Sequence, residues 1–252
     1  MEAYTDFANV YDRFMDEIPY DKWCDNVINE LKKFDINDGL VLELGCGTGS
    51  MTERLAMKGY DMIGVDFSQE MLNVACEKRN ESGLDILYLN QDMCDFELYG
   101  TVRAVVSVCD CVNYLLEEEE LINCFKLVNN YLDPKGIFMF DFNTKYKYET
   151  VIGDTVIAEN REDCSFIWEN FFDSETNINE YDLTIFTKET EELFSRSVEV
   201  HYQRGYTLEE MKGFIEAAGL TFIRAYDADT LGDVTDESER IYCVAQESVK
   251  NP

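Results

Sequence analysis

Val41-Leu42-Glu43-Leu44-Gly45-Cys46-Gly47-Thr48-Gly49 is the stretch on which the reading of this 252-residue chain turns. The apolar run Leu40 to Leu44 predicts a strand, the glycines a tight loop, and the amphipathic run Ser50 to Lys58 a helix. Glycine adopts positive φ freely and lets the backbone pass close to a ligand. A strand–glycine loop–helix is therefore a place where a nucleotide-like ligand meets the carboxyl end of a strand. A dinucleotide fingerprint runs G-x-G-x-x-G and seats a pyrophosphate on the helix N-terminus. Here the spacing is G-x-G-x-G, and Ser50 stands where the third glycine of that fingerprint belongs. The acidic Glu43 precedes the loop. That combination suits a ligand with an ammonium group and no pyrophosphate.

Downstream residues extend the pattern. Asp66 ends the run Met62-Ile63-Gly64-Val65-Asp66. An acid about twenty residues past a glycine loop, at the tip of the adjacent strand, can accept both ribose hydroxyls. Phe67, Ser68 and Met71 open the next helix, where Phe67 either flanks an adenine or packs helix against sheet. Gln91-Asp92-Met93 follows the strand Ile86 to Leu89. The Asp92 carboxylate can accept an exocyclic amine, and the Met93 backbone N–H can reach a ring nitrogen.

Around these residues short apolar runs alternate with helical patterns. Strands are predicted at Asp61 to Val65, Ala104 to Val108 and Ile137 to Phe142, and helices at Gln69 to Arg79 and Leu116 to Tyr131. Such alternation means right-handed crossovers and a doubly wound α/β core. Two amphipathic stretches precede it, one carrying Phe7, Val10, Tyr11 and Phe14, the other Trp23, Val27, Ile28 and Leu31. After Asn143 the pattern changes. Thr155 to Tyr202 has no helical period but contains the runs Cys164 to Phe172, Ile178 to Phe186 and Glu192 to Tyr202, separated by polar turns. This predicts an antiparallel β meander, residues 144–203, inserted into a core made of residues 1–143 and 204–252. The core resumes with a helix around Leu208 to Ile215 and the strands Leu220 to Tyr226 and Ile241 to Ala245.

The order Glu43 to Gly49, Asp66, Asp92-Met93, Val106 to Asp110 and Leu132-Asp133-Pro134-Lys135-Gly136 resembles class I methyltransferases that use S-adenosylmethionine (SAM). The opening Phe7 to Asp12 and Pro19 to Trp23 further resemble uncharacterised small methyltransferases of Gram-positive bacteria. The resemblance implies a Rossmann-like seven-stranded sheet whose last strand is antiparallel, and SAM as donor with S-adenosylhomocysteine (SAH) as product. It implies a cofactor site drawn from Glu43, Gly45, Cys46, Gly47, Thr48, Gly49, Asp66, Phe67, Ser68, Met71, Asp92 and Met93. It also implies Tyr11 near the methionine moiety and Cys109 in the cofactor wall.

Composition narrows the partners. Fifty-two acids against 21 bases leave a net charge of −31. That field repels phosphate backbones and disfavours nucleic acid or an anionic membrane surface. No run approaches the roughly 18 apolar residues of a membrane span, and the acidic start lacks the plan of a signal peptide, so the cytoplasm is expected. Nine cysteines without a CxxC pair fit reduced thiols and no metal site. Because SAM carries an activated methyl group, alignment and exclusion of water carry much of the catalysis. Asp110, Asn113 and Tyr114 follow the fourth strand and are expected to face the cleft. Asp110 can serve as a base, cap a helix or bond the methionine end. His201, the lone histidine, is the second catalytic candidate, on the polar face of an inserted strand that meets either solvent or the cleft. Phe166, Trp168, Phe171, Phe172 and Tyr181 either line the cleft or form the insertion's own core. The expected reaction is methyl transfer to an N or O nucleophile of a small molecule. The alternatives are a protein or RNA acceptor, a nicotinamide-dependent oxidoreductase, or SAM binding without turnover.

Overall fold

The protein is described by a computed structural model covering residues 7–250. Helices α1 (Ala8–Phe14) and α2 (Tyr20–Lys32) lead into β1 (Gly39–Leu44), α3 (Ser50–Met57), β2 (Tyr60–Asp66), α4 (Gln69–Ser82), β3 (Ile86–Asn90) and β4 (Val102–Ser107). A 3-10 turn (Cys111–Tyr114), α5 (Glu118–Tyr131) and the long β5 (Leu132–Asn143) complete the first half. A π-helical turn (Lys147–Ile152) then precedes β6 (Val156–Asn160), β7 (Cys164–Asp173), β8 (Ile178–Lys188) and β9 (Phe194–Arg204). The chain closes with α6 (Leu208–Ala217), β10 (Leu220–Asp227) and β11 (Arg240–Glu247).

The main sheet has the order β10-β11-β5-β4-β1-β2-β3. The first five strands pair in parallel, and β11 runs antiparallel to both β5 and β10. Both faces of the central strands are covered, which is why they read as unbroken apolar runs. On one face Leu42, Leu44, Val105 and the stack Phe138, Phe140 and Phe142 meet Phe125 of α5 and Phe214 of α6. On the other, Val41, Met62, Val106 and Met139 meet Val27 and Leu31 of α2 and Leu55 of α3. The chain winds outward from β1 through β2 and β3, then returns to β4 on β1's other side. The carboxyl ends of β1 and β4 therefore part and leave a crevice.

The second sheet, β6-β7-β8-β9, is wholly antiparallel. Its short edge strand β6 was not legible as a strand, because nearly every residue in it is exposed and no alternation marks a buried face. Phe166, Leu183 and Ile185 pack against Phe7, which precedes α1, and against Val10 and Phe14 of α1. The face of β9 is inverted relative to its hydropathy. Glu199, His201 and Gln203 are buried, while Tyr202 is exposed. Polar residues point inward there because each finds a partner in a hydrogen-bonded cluster.

Among the described residues no helix is long and apolar enough to cross a membrane, and no group of His, Cys, Asp or Glu is arranged to hold a metal ion.

Candidate active site

A cavity of about 350 Å³ lies at the carboxyl ends of β1, β2, β3 and β4. Its floor is the glycine loop. The Gly45 and Cys46 N–H groups both donate to the carbonyl of Val65 (2.8 and 3.0 Å), so the loop is tied to the tip of β2. Gly45 has φ +69°, and a Cβ there would meet the Cys111 sulfur at 2.4 Å. Gly47 has φ +52°, and a Cβ on it would meet no protein atom within 4 Å, so that position opens onto ligand space.

Glu43 is only 2 % exposed, and its carboxylate accepts from the Thr52 hydroxyl. Among the described residues no Lys, Arg or His lies within salt-bridge distance of it. Burial pushes its pKa up to about 8, the Thr52 hydrogen bond opposes this, and the Asp66 charge adds to it. An acid buried in this way ionises readily only when a positive charge comes beside it. Asp66 presents both oxygens to the loop: Oδ2 accepts from the Gly47 N–H (2.7 Å) and Oδ1 from the Ser68 N–H (2.8 Å). Burial raises its pKa, and those two hydrogen bonds resist the shift. Asp92 accepts the Cys94 N–H (2.8 Å), which turns the chain after β3.

Tyr11, Glu43, Gly45, Cys46, Gly47, Thr48, Asp66, Phe67, Ser68, Met71, Asp92, Met93 and Cys109 all line this one cavity. Gly49 does not. It is the N-cap of α3 and packs toward the Tyr88 hydroxyl. Phe67 is 62 % exposed, so it does not pack helix against sheet, and its ring is free to flank a ligand. Ser68 also caps α4, accepting the Met71 N–H (3.1 Å). Tyr20, Cys111 and Glu120 also line the cavity. They come from a helix start, a 3-10 turn and the first turn of α5, and no local motif announces them.

Helix α1 roofs the loop. The Thr48 hydroxyl donates to Asp12 Oδ1 (2.6 Å), and Lys78 Nζ reaches both Asp12 Oδ2 (2.9 Å) and the Ser50 hydroxyl (2.8 Å). Burial drives the Cys46, Cys109 and Cys111 thiols well above the ordinary thiol range, so they form a neutral wall.

After β4, Cys109 and Asp110 have φ of +63° and +53°, so the chain turns sharply there, and the expectation that Asp110 faces the cleft needs correction. Asp110 does not line the cavity, nor does it cap the 3-10 turn with its side chain. Its Oδ1 accepts from Arg240 Nη2 (2.6 Å) and its Oδ2 from Gln203 Nε2 (2.8 Å). Asn113 is buried too, bracing the turn against the Asn143 and Arg204 carbonyls (2.9 and 2.7 Å). Of the three residues expected to face the cleft, Tyr114 lines it.

His201 lies behind Tyr114. Its Nδ1 is 3.1 Å from the Tyr114 hydroxyl, and its Nε2 is 3.3 Å from Glu199 Oε2. None of Phe166, Trp168, Phe171, Phe172 or Tyr181 lines the cavity. Phe166 and Trp168 belong to the packing under α1, and Phe171 is exposed.

Comparison with known proteins agrees with this geometry. Residues 41–136 match the family model described as a methyltransferase domain. The chain is 36 % identical over 246 residues to "Putative methyltransferase YqeM" of Bacillus subtilis (strain 168), covering 97 % of each. It superposes with TM-score 0.87 and 28 % identity on an S-adenosylmethionine-dependent methyltransferase from Clostridium acetobutylicum ATCC 824, over 98 % of this chain and 100 % of that one. It shares the fold of SAM-bound CalS10, an amino pentose methyltransferase of Micromonospora echinaspora (TM-score 0.74, 17 % identity, 98 % and 99 % covered). The cavity on a G-x-G-x-G loop, the strand order and these similarities identify the chain as a member of the class I SAM-dependent methyltransferases.

Proposed function

We propose that the protein binds SAM in this cavity and passes its methyl group to an N or O nucleophile of a small-molecule acceptor, in the cytoplasm. The observation that carries the site assignment is Glu43, a buried carboxyl group beside an open loop with no Lys, Arg or His in reach among the described residues. In this reading Glu43 answers the positive charge of the methionine end, with Tyr11 and Cys109 beside it. Asp66 accepts the ribose hydroxyls, and Asp92, the Met93 N–H and Phe67 receive the adenine. The donor supplies an activated methyl group, and the chain's part is to orient, exclude water and take up a proton. A small acceptor is supported by the modest cavity volume and by the acidic surface, which disfavours RNA. The amino pentose named for CalS10 belongs to the same size class.

Titration of the purified protein with SAM, SAH and NAD tests the donor assignment. SAM and SAH should raise the melting temperature and NAD should not; stabilisation by NAD alone would sink the reading.

Glu43 adds a pH signature. Its folded pKa of about 8 lies above the ordinary value of 4.5. Its contribution to stability is therefore fully present below pH 4.5 and is lost as pH rises through about 8. A bound cation reverses the preference and draws the ionised form. SAM affinity should therefore rise between pH 6 and about 7.5, below the ligand's own amino titration near about 7.7–8.0. Proton release on binding should accompany it. Calorimetry in buffers of different ionisation enthalpy checks this, and Glu43→Gln should flatten the slope. An equal slope in the variant would remove Glu43 from the cation site.

A further inference from the structure

Resting on that reading of the donor site, we propose that Tyr114, His201 and Glu199 form a proton relay from the cavity wall into the inserted sheet, and that the acceptor is an uncharged hydroxyl compound. Tyr114 is the catalytic residue in this assignment, and His201 and Glu199 position and charge-balance it.

The cluster is built from four separate elements. Tyr114 comes from the turn after β4 and lines the cavity. Its hydroxyl is 3.1 Å from His201 Nδ1 of β9 and 2.9 Å from the Tyr181 hydroxyl of β8. The Tyr181 ring stacks on the imidazole at 5.2 Å with 12° between the planes, which holds the ring in place. The cross-strand pairing Tyr181↔His201 enforces that stack. Glu199 Oε2 faces His201 Nε2 at 3.3 Å, and Glu199 Oε1 accepts the Phe7 N–H (3.0 Å) where α1 begins. His201 and Glu199 are 2 % and 1 % exposed. Elsewhere the same inner face carries Phe166, Leu183 and Ile185, so apolar filling was available to this sheet. A buried acid and imidazole in line behind a cavity-wall phenol cost more than such filling and need a reason.

The relay requires one placement of the protons. In this proposal the imidazole carries its proton on Nε2, the side of Glu199 3.3 Å away, so that Nδ1 accepts from the Tyr114 hydroxyl and Tyr181 donates to the Tyr114 oxygen. In the transfer step an acceptor oxygen forms its bond to the methyl carbon as the methyl–sulfur bond breaks, and that electron pair stays on sulfur. The acceptor's hydroxyl proton passes to the Tyr114 oxygen, and the Tyr114 proton passes to His201 Nδ1. Glu199 balances the resulting imidazolium, which returns its proton to water after product release.

The chemistry of the cavity selects the class of acceptor. A neutral amine attacks without prior loss of a proton, whereas a hydroxyl is a poor nucleophile until its proton leaves, so a built relay points to oxygen. The wall carries Glu43, Asp66, Asp92 and Glu120 and, among the described residues, no Lys, Arg or His. From the chain itself an anionic acceptor meets only like charge, and a phenolate must rely on the positive charge of the donor.

Methyl transfer from radiolabelled SAM to a series running from phenol to 4-nitrophenol tests the relay in the whole protein. Tyr114→Phe, His201→Gln and Glu199→Gln are compared with the wild type, with SAH affinity measured on each. Tyr114→Phe is expected to keep SAH affinity and to slow transfer to phenol by about 10²–10⁴-fold. The loss should shrink toward none for 4-nitrophenol, which is already ionised at the assay pH. The lone histidine gives a second readout, since a ¹⁵N spectrum reports His201 alone. The wild type should show Nε2 protonated and Nδ1 bare, and Tyr114→Phe should move the Nδ1 signal. A loss that is equal across the series, or a protonated Nδ1 in the neutral wild-type ring, overturns the relay. A wild type that binds SAH and methylates a neutral amine but no phenol overturns the hydroxyl assignment. A wild type that binds neither SAM nor SAH instead defeats the donor-site reading beneath it.

Discussion

Replacing Arg240 by methionine is expected to destabilise the protein by about 3–5 kcal/mol at pH 7, the range for removing one partner of a buried ion pair. Arg240 projects from β11, its side chain 17 % exposed and lying over the Trp23 ring. It bonds Asp110 at 2.6 Å and stands 3.7 Å from the fully buried Asp141. Asp141 in turn accepts the Cys109 and Asp110 N–H groups (3.3 and 2.7 Å) and so holds the sharp turn that walls the cavity. Without the guanidinium, two carboxylates confront each other in a poorly solvated space. Burial already raises the Asp141 pKa, Arg240 opposes that shift and Asp110 adds to it. An acid whose folded pKa is raised loses its stabilising contribution as pH climbs through that value. The deficit of the variant should therefore be smaller at pH 5 than at pH 8. Urea unfolding at both pH values checks it. The double variant Arg240→Met/Asp141→Asn should recover part of the loss, and a pH-independent deficit below about 1 kcal/mol would show that the cluster is not coupled this way.

The second large effect concerns the donor. Asp66→Ala should weaken SAM and SAH binding by about 10²-fold or more, because each hydrogen bond to a charged group is worth about 1.5–3 kcal/mol and two ribose hydroxyls lose theirs. The substitution also strips the Gly47 and Ser68 N–H groups of their acceptor, so the glycine loop loosens along with the contact. Asp66→Asn, which keeps an acceptor at lower strength, should fall between. Calorimetric titration of the three proteins decides it: an unchanged affinity in Asp66→Ala refutes the ribose assignment.

Much of the cavity could be read locally. Glu43, Gly45, Gly47, Asp66 and Asp92 each stand at or just past the carboxyl end of a strand, at a fixed place in a repeating β-α unit, so their convergence follows from the winding of the sheet. The roof could not be read so. Asp12, Lys78 and Ser50 join α1, α4 and α3 through side chains 28 to 66 residues apart, and nothing near any of them in sequence marks the pairing. Asp110 shows the opposite hazard. Its position after β4 suggested the cleft, yet Arg240, 130 residues away, turns it inward.

The insertion marks the boundary most clearly. Alternation in Val198 to Gln203 correctly predicts a strand, but hydropathy chooses the wrong inner face. Period-two alternation depends on the backbone of one strand and survives any environment. Which face is buried depends on partners supplied by other elements, here Tyr114, Phe7 and Asp110. By itself the sequence determined the α/β core, the antiparallel insertion and the glycine loop after β1, because each rests on local period and spacing. Only the tertiary structure decided that the lone histidine faces inward behind a cavity tyrosine, because burial of a polar face is worth its desolvation only where distant groups meet it.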